Sequence, residues 1–134
     1  MQQPEAKFKR KLIELHAEAA GAGAWYSYLA AGGAGQKQGI PDLIFGDPAH
    51  GLLWVEAKRA PTRKAPQMRT LQVKTIRSLQ AVGARVPILC LEEDTGLVTL
   101  YVIAADTTLD IVRFGSLGPV GATLWPNIWA SYPK

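Results

Sequence analysis

The sequence predicts an α/β domain: a mixed β-sheet with α-helices on its faces. Three observations predict it. Apolar residues recur at helical spacing near residues 5–20 and 67–82, short β-branched apolar runs lie between and after them, and glycine or proline stands at most of the junctions. With 134 residues, 48% hydrophobic and 19% charged, the chain has the size and composition of one globular domain with its own core. No repeat period or internal boundary divides it.

The first element is an amphipathic helix over residues 5–20, because Phe8, Leu12, Leu15 and Ala19 share one face while Glu5, Lys9 and His16 fall elsewhere. Gly21 and Gly23 end it. Residues 24–31, AWYSYLAA, suit a strand or a packed connector. Residues 32–39 are glycine-rich and contain Lys37. They fail as a phosphate-binding motif, since Gln38 occupies the third glycine position of GxGxxG and no GK[ST] occurs, so no nucleotide cofactor is expected. A flexible connector able to close over a ligand is the stronger reading.

Residues 40–45 and 52–57 read as two strands of a hairpin around a Gly/Pro/Asp turn. A loop centred near Ala49 sets Asp42 across from Glu56. Alternation then projects Trp54, Glu56 and Lys58 to one face and Leu53, Val55 and Ala57 to the other. Two carboxylates and an ammonium converge on one patch. Facing carboxylates repel unless a cation lies between them, and paired oxygen ligands suit hard ions such as Mg²⁺ or Mn²⁺.

Residues 59–66, RAPTRKAP, form a loop. A second helix over residues 67–82 has Met68, Leu71, Thr75, Leu79 and Val82 as its stripe and Gly83 as its stop, with Gln72 about 100° round from Leu71 at the border of core and solvent. Residues 86–91 read as a buried strand with Pro87 at its entry, residues 92–96 as a turn, and residues 97–103 as another strand. Asp106 can cap a short helix over 107–114. The tail, residues 115–134, lacks periodicity and reads as a strap that packs Trp125 and Trp129 on the domain or on a second copy.

Composition narrows the function classes. No run approaches the roughly 18 apolar residues of a membrane span, and MQQPEAKFKRK lacks the apolar core of a signal peptide, so no membrane partner and a cytoplasmic location are expected. The lone Cys90 excludes an internal disulfide and reads as a buried strand residue. His16 and His50 read as surface residues. Net charge is only +4, but between Ala57 and Leu91 lie eight basic residues and no acid, and Lys7, Lys9, Arg10 and Lys11 form a second cluster. Such clustering fits contact with phosphate backbones, and a solvated helix face fits it equally.

Pro41-Asp42 followed by Glu56-Ala57-Lys58 resembles the signature of the PD-(D/E)xK nucleases. The likeness sharpens to the virus-type replication-repair nuclease (VRR-NUC) branch when GIPDLIF, the glycine before WVEAK, Gln72, and Gly83-Ala84 eleven residues beyond that glutamine are read together. It spans about residues 5–91. The resemblance implies a restriction-endonuclease-like fold in a single domain over residues 1–134, with a motif-bearing core at about 5–114 and an apolar tail at 115–134. It implies a Mg²⁺- or Mn²⁺-dependent phosphodiesterase acting on duplex or branched DNA, of Holliday-junction or flap type, serving replication, recombination or repair in a bacterial or phage setting, often as a homodimer.

Carried onto this chain, the resemblance makes Asp42 and Glu56 metal ligands, with the Ala57 carbonyl as a third oxygen. Lys58 would orient or help deprotonate the attacking water, and Gln72 would steady Lys58 or a water. An acid on the first helix is also implied, Glu5 or, in another register, Glu14. Lys37, Arg59, Arg63, Lys64, Arg69 and Lys74 would hold the DNA backbone. The chemistry is coherent, since a bound metal makes hydroxide available near neutral pH and the reaction needs positive charge where the pentavalent oxygens develop. A competing reading keeps the fold as a non-catalytic DNA-binding module or subunit of a replication or repair assembly, and a third makes it a small structural domain.

Overall fold

The computed structural model describes residues 4–28, 39–61, 64–104 and 110–132. Helix α1 (Pro4–Ala20) precedes strands β1 (Trp25–Tyr28), β2 (Leu43–Asp47) and β3 (Gly51–Ala60). Helix α2 (Thr70–Ala81) follows, then β4 (Ile88–Glu92), β5 (Leu97–Ile103), β6 (Ile111–Pro119) and α3 (Leu124–Ser131). The six strands form one sheet in sequence order. Neighbours are antiparallel except β3 and β4, which run parallel because α2 carries the chain back to the start of the sheet between them. This is the α/β arrangement the sequence predicts.

Alternation along β3 divides the core between the two faces of the sheet. Leu53, Val55 and Ala57 join Phe8, Leu12 and Leu15 of α1 and Leu124, Trp125 and Ile128 of α3. On the other face Val73 and Ile76 of α2 pack with Ile88, Cys90, Tyr101 and Ile103, and Trp54 lies against them. Cys90 is buried, as expected of a strand residue.

Several boundaries differ from the sequence reading, each for a physical reason. β2 begins at Leu43 rather than at residue 40, since Pro41 has no N–H for a ladder. β3 continues to Ala60, where parallel pairing with β4 extends it beyond the hairpin. The buried side of α2 is Gln72, Val73 and Ile76, while Leu71 and Val82 are 47% and 82% exposed, so the apolar stripe is turned from the one expected. Leu71 and Val82 are hydrophobic residues standing singly on the surface, which is common in folded proteins. The buried side of α1 ends in His16 rather than Ala19, which is exposed.

The expected helix over 107–114 is replaced at residues 111–114 by β6, which supplies backbone partners to the outer side of β5. Asp106 and its expected cap lie outside the described residues. The tail is not an irregular strap: its first part completes β6 and its second is α3. Trp125 is fully buried, donates its indole N–H to the Leu12 carbonyl at 2.9 Å and meets Phe45 edge-on. Among the described residues no helix is long and apolar enough to cross a membrane.

Two substitutions test this packing. Trp125→Ala should cost about 3–5 kcal/mol in urea unfolding, as expected for an emptied core site. Val82→Ala should change stability by no more than about 0.5 kcal/mol, as for other exposed positions.

Candidate active site

The site is built where β2 begins beside the middle of β3. The ladder pairs Leu43 with Val55, so one further step in the same register sets Asp42 beside Glu56 and Pro41 beside Ala57. Trp54 and Glu56 donate their N–H groups to the carbonyls of Arg85 and Pro87, at 2.9 and 3.1 Å. The alternate residue Ala57 therefore turns its N–H and carbonyl towards β2. There its N–H donates to Asp42 Oδ2 at 3.0 Å. Pro41 has no N–H to return to the Ala57 carbonyl.

Gly39 brings the chain into this corner with φ of +87°, and a Cβ there would lie 2.8 Å from Thr75 Oγ1 and 2.9 Å from the Leu71 carbonyl oxygen. Only glycine lets the segment before Pro41 press against α2 in this way.

Both acids are buried, Asp42 at 7% and Glu56 at 1% exposure. Glu56 Oε1 accepts a hydrogen bond from Gln72 Nε2 at 3.1 Å and lies 3.5 Å from Lys58 Nζ. Glu56 Oε2 has no hydrogen-bond partner among the described residues. Gln72 in turn accepts from the Arg69 N–H at 2.9 Å and from Lys58 Nζ at 3.4 Å. One amide therefore closes the first turn of α2 and bridges the acid to the lysine. Burial first and the nearby Asp42 charge second push the Glu56 carboxyl up to about 8, with Lys58 and Lys9 offsetting only part of their effect.

This donor set fits a hard cation. A buried carboxylate oxygen without a partner, a second buried carboxylate beside it and a carbonyl facing a proline are oxygen ligands short of positive charge. No group of three or more His, Cys, Asp or Glu side chains able to share an ion occurs among the described residues.

The first helix meets the site in a way the sequence reading missed. Lys9 Nζ lies 3.2 Å from Asp42 Oδ1 and 3.7 Å from Glu5 Oε1. Burial by itself would lower the Lys9 pKa, but Asp42, then Glu5 and Glu56, outweigh it and leave the pKa raised. Glu5 thus reaches Asp42 only through Lys9, and Glu14 pairs with Lys11 at 3.6 Å instead. The spacing of Glu5 and Lys9 by four residues was the available signal for this contact.

The expected DNA-backbone residues are dispersed. Arg69 borders an open hollow of about 540 Å³ with Lys58, Gln67, Met68 and Gln72. Lys74 and Lys64 are exposed. Arg59 alternates to the α1 side, where it pairs with Glu93 at 3.4 Å. Lys37 and Arg63 lie outside the described residues, as does most of the segment expected to close over a ligand.

The histidines are not surface residues in the sense expected. His16 is 2% exposed against Phe45 and Trp125, with Nε2 3.7 Å from Asp47 Oδ2. Burial lowers its pKa even though Asp47 opposes the shift. His50 is half-buried, with Nδ1 3.0 Å from Asp47 Oδ1 and its ring stacked on Trp129 at 3.8 Å. These groups brace the turn end of the hairpin, away from Asp42.

No protein-family model matches the chain, and no curated protein matches it. Among solved structures, Hjc of Archaeoglobus fulgidus, a Holliday junction resolvase from an archaeal hyperthermophile, matches with a TM-score of 0.56. The two chains share a fold. The match covers 90% of this chain and 97% of that one at 15% identity. The restriction-endonuclease-like architecture expected from the PD-(D/E)xK resemblance is therefore the one observed.

The Glu56 shift has a measurable sign. In the folded protein this carboxyl holds its proton up to about pH 8, against 4.5 for an ordinary glutamate. Folded protein binds the extra proton between these values, so its stabilising effect is full below the ordinary value and lost as pH rises through about 8. Glu56→Gln cannot ionise. In metal-free buffer it should melt several °C above the unsubstituted protein at about pH 8, with the difference shrinking towards pH 5. Equal melting differences at both pH values would contradict this environment for Glu56.

Proposed function

We propose that this protein is a Mg²⁺- or Mn²⁺-dependent deoxyribonuclease of the VRR-NUC branch of the PD-(D/E)xK nucleases, an endonuclease for branched DNA of Holliday-junction or flap type. The observation that carries the reading is the buried Asp42 and Glu56 pair, with Glu56 Oε2 unpartnered and Lys58 held beside it by Gln72. The shared fold with an archaeal Holliday junction resolvase supports the choice of branched DNA.

Asp42, Glu56 and the Ala57 carbonyl would hold the ion, which when bound acidifies a water and offsets charge on the phosphate. The chain's own groups do the rest. Lys58 reaches the rim of the acid pair and supplies positive charge where the pentavalent oxygens develop. Gln72 fixes that ammonium, so little reorganisation is needed during the reaction. Burial of the two acids keeps bulk water from screening these charges.

Arg69 beside Lys58, with Lys64, Lys74 and Arg59 and the flanking Lys37 and Arg63, would grip the duplex through its phosphates, giving salt-dependent affinity without base reading. A two-fold homodimer would match the symmetry of a four-way junction. Trp125 would take no part in that interface, because it is spent inside the domain. The setting that fits is DNA replication, recombination or repair in the cytoplasm of a bacterial or phage-infected cell.

The test is a cleavage screen with Mn²⁺ or Mg²⁺ over linear duplex, flap, splayed-arm and four-way DNA. Cutting of a branched substrate in preference to duplex is expected. Asp42→Asn and Lys58→Ala should each lower the rate by about 10²–10³-fold or more while DNA is still bound. Folded protein that binds all four substrates and cuts none would replace this reading with a non-catalytic DNA-binding module.

A further inference from the structure

The N-terminal basic cluster is not uniform. Lys7, Arg10 and Lys11 are exposed, whereas the Lys9 side chain is only 19% exposed and its ammonium sits on Asp42 Oδ1. We propose that Lys9 is an internal cation of the site, a positioning residue that holds Asp42, competes with metal and limits the acid pair to one divalent ion per chain. The proposal rests on Asp42 and Glu56 being a cation site, and it adds what governs the number and affinity of the ions.

Three of the four carboxylate oxygens are already engaged. Asp42 Oδ2 takes the Ala57 N–H, Asp42 Oδ1 takes Lys9, and Glu56 Oε1 takes Gln72 and lies near Lys58. Glu56 Oε2 alone is unpartnered among the described residues. An arriving ion has that oxygen open to it once it displaces the Glu56 proton, and to reach Asp42 Oδ1 it must share or displace the Lys9 ammonium.

Charge leads to the same limit. With both acids ionised, Asp42 and Glu56 are balanced by Lys9 and Lys58. One divalent ion brings an excess that a phosphodiester can partly cancel. A second would find the next acid, Glu5, already paired with Lys9 at 3.7 Å, and no three-acid group occurs among the described residues. Lys9 thus stands where a second cation would have to be.

Calorimetric titration of Mn²⁺ into metal-free protein, without DNA, tests the proposal in the unsubstituted chain and in Lys9→Met and Lys9→Arg. One ion per chain is expected in the unsubstituted protein. Removing the charge should tighten binding about tenfold or more, since a positive charge a few Å from the ion is lost. Lys9→Arg, which keeps the charge, should stay near the unsubstituted affinity. Two ions in the unsubstituted chain, or a Lys9→Met affinity within about twofold of it, would overturn the proposal.

Lys9→Met leaves two acids facing each other and should melt lower without metal, so thermal unfolding against Mn²⁺ concentration is the second readout. Its melting temperature must begin to rise at a lower Mn²⁺ concentration than that of the unsubstituted protein. Binding that obeys these expectations in a protein that cuts no DNA would remove the nuclease reading and leave the role of Lys9 standing. Absence of Mn²⁺ binding in both the unsubstituted chain and Lys9→Met would remove the role of Lys9.

Discussion

A β-ladder normally closes on both sides with backbone partners, and at Ala57 it cannot, because continuing the register puts Pro41 opposite. The chain solves half of the deficit with a side chain: Asp42 Oδ2 accepts the Ala57 N–H at 3.0 Å. A charge-assisted bond of this kind contributes about 1.5–3 kcal/mol and gives the carboxylate one defined orientation. The other features of the site follow from that placement. Asp42 is held close enough to Glu56 to raise its pKa, and the Ala57 carbonyl is turned to the same side.

The two faces of the sheet then contribute separate partners to the acids. From the α2 face comes Gln72, which joins the start of its own helix to Glu56 and Lys58. From the α1 face comes Lys9, backed by Glu5. Both helices are fixed by large apolar contacts, Ile76 of α2 in one cluster and Phe8 and Leu12 of α1 in the other. The polar groups therefore need no loop to position them. A shared fold at 15% identity is intelligible on these terms, since hydrophobic residues of suitable size on each face suffice for the architecture.

Much of this was legible in the residues. The hairpin register, the faces of β3 and the span of β5 follow from period-two alternation and turn chemistry, and the structure has them as read. What could not be read depends on contacts far apart in sequence. The order of the strands offers no local signal that residues 111–114 must serve the outer side of β5, and Ile-Val-Arg-Phe is compatible with either helix or strand. The turn of α2 departs from its hydrophobic stripe: Leu71 and Val82 outweigh Gln72 in hydrophobicity, while the site needs a polar residue on the buried side. Lys9 was hidden for a similar reason. In a run of four basic residues among five positions, spacing can pair Lys9 with Glu5 and Lys11 with Glu14, but only the tertiary fold brings Lys9 to Asp42.

The turn end of the hairpin is held very differently from the end that carries Asp42. Asp47 accepts the backbone N–H groups of Ala49 and His50, touches both histidines, and is closed over by α3 through Trp125 and Trp129. Its carboxyl stays below the usual range because those hydrogen bonds outweigh the opposing effect of its burial. At the other end Asp42 is tied by the amide of the buried Ala57 and the ammonium of Lys9, one residue before the fully buried Leu43. Strand β2 is thus held by aromatic packing at its turn end and, at the other, by the buried Leu43 together with the polar ties of Asp42. A change in the charge around Asp42 therefore acts beside the buried Leu43 and Ala57, at the end of the hairpin opposite the aromatic anchor.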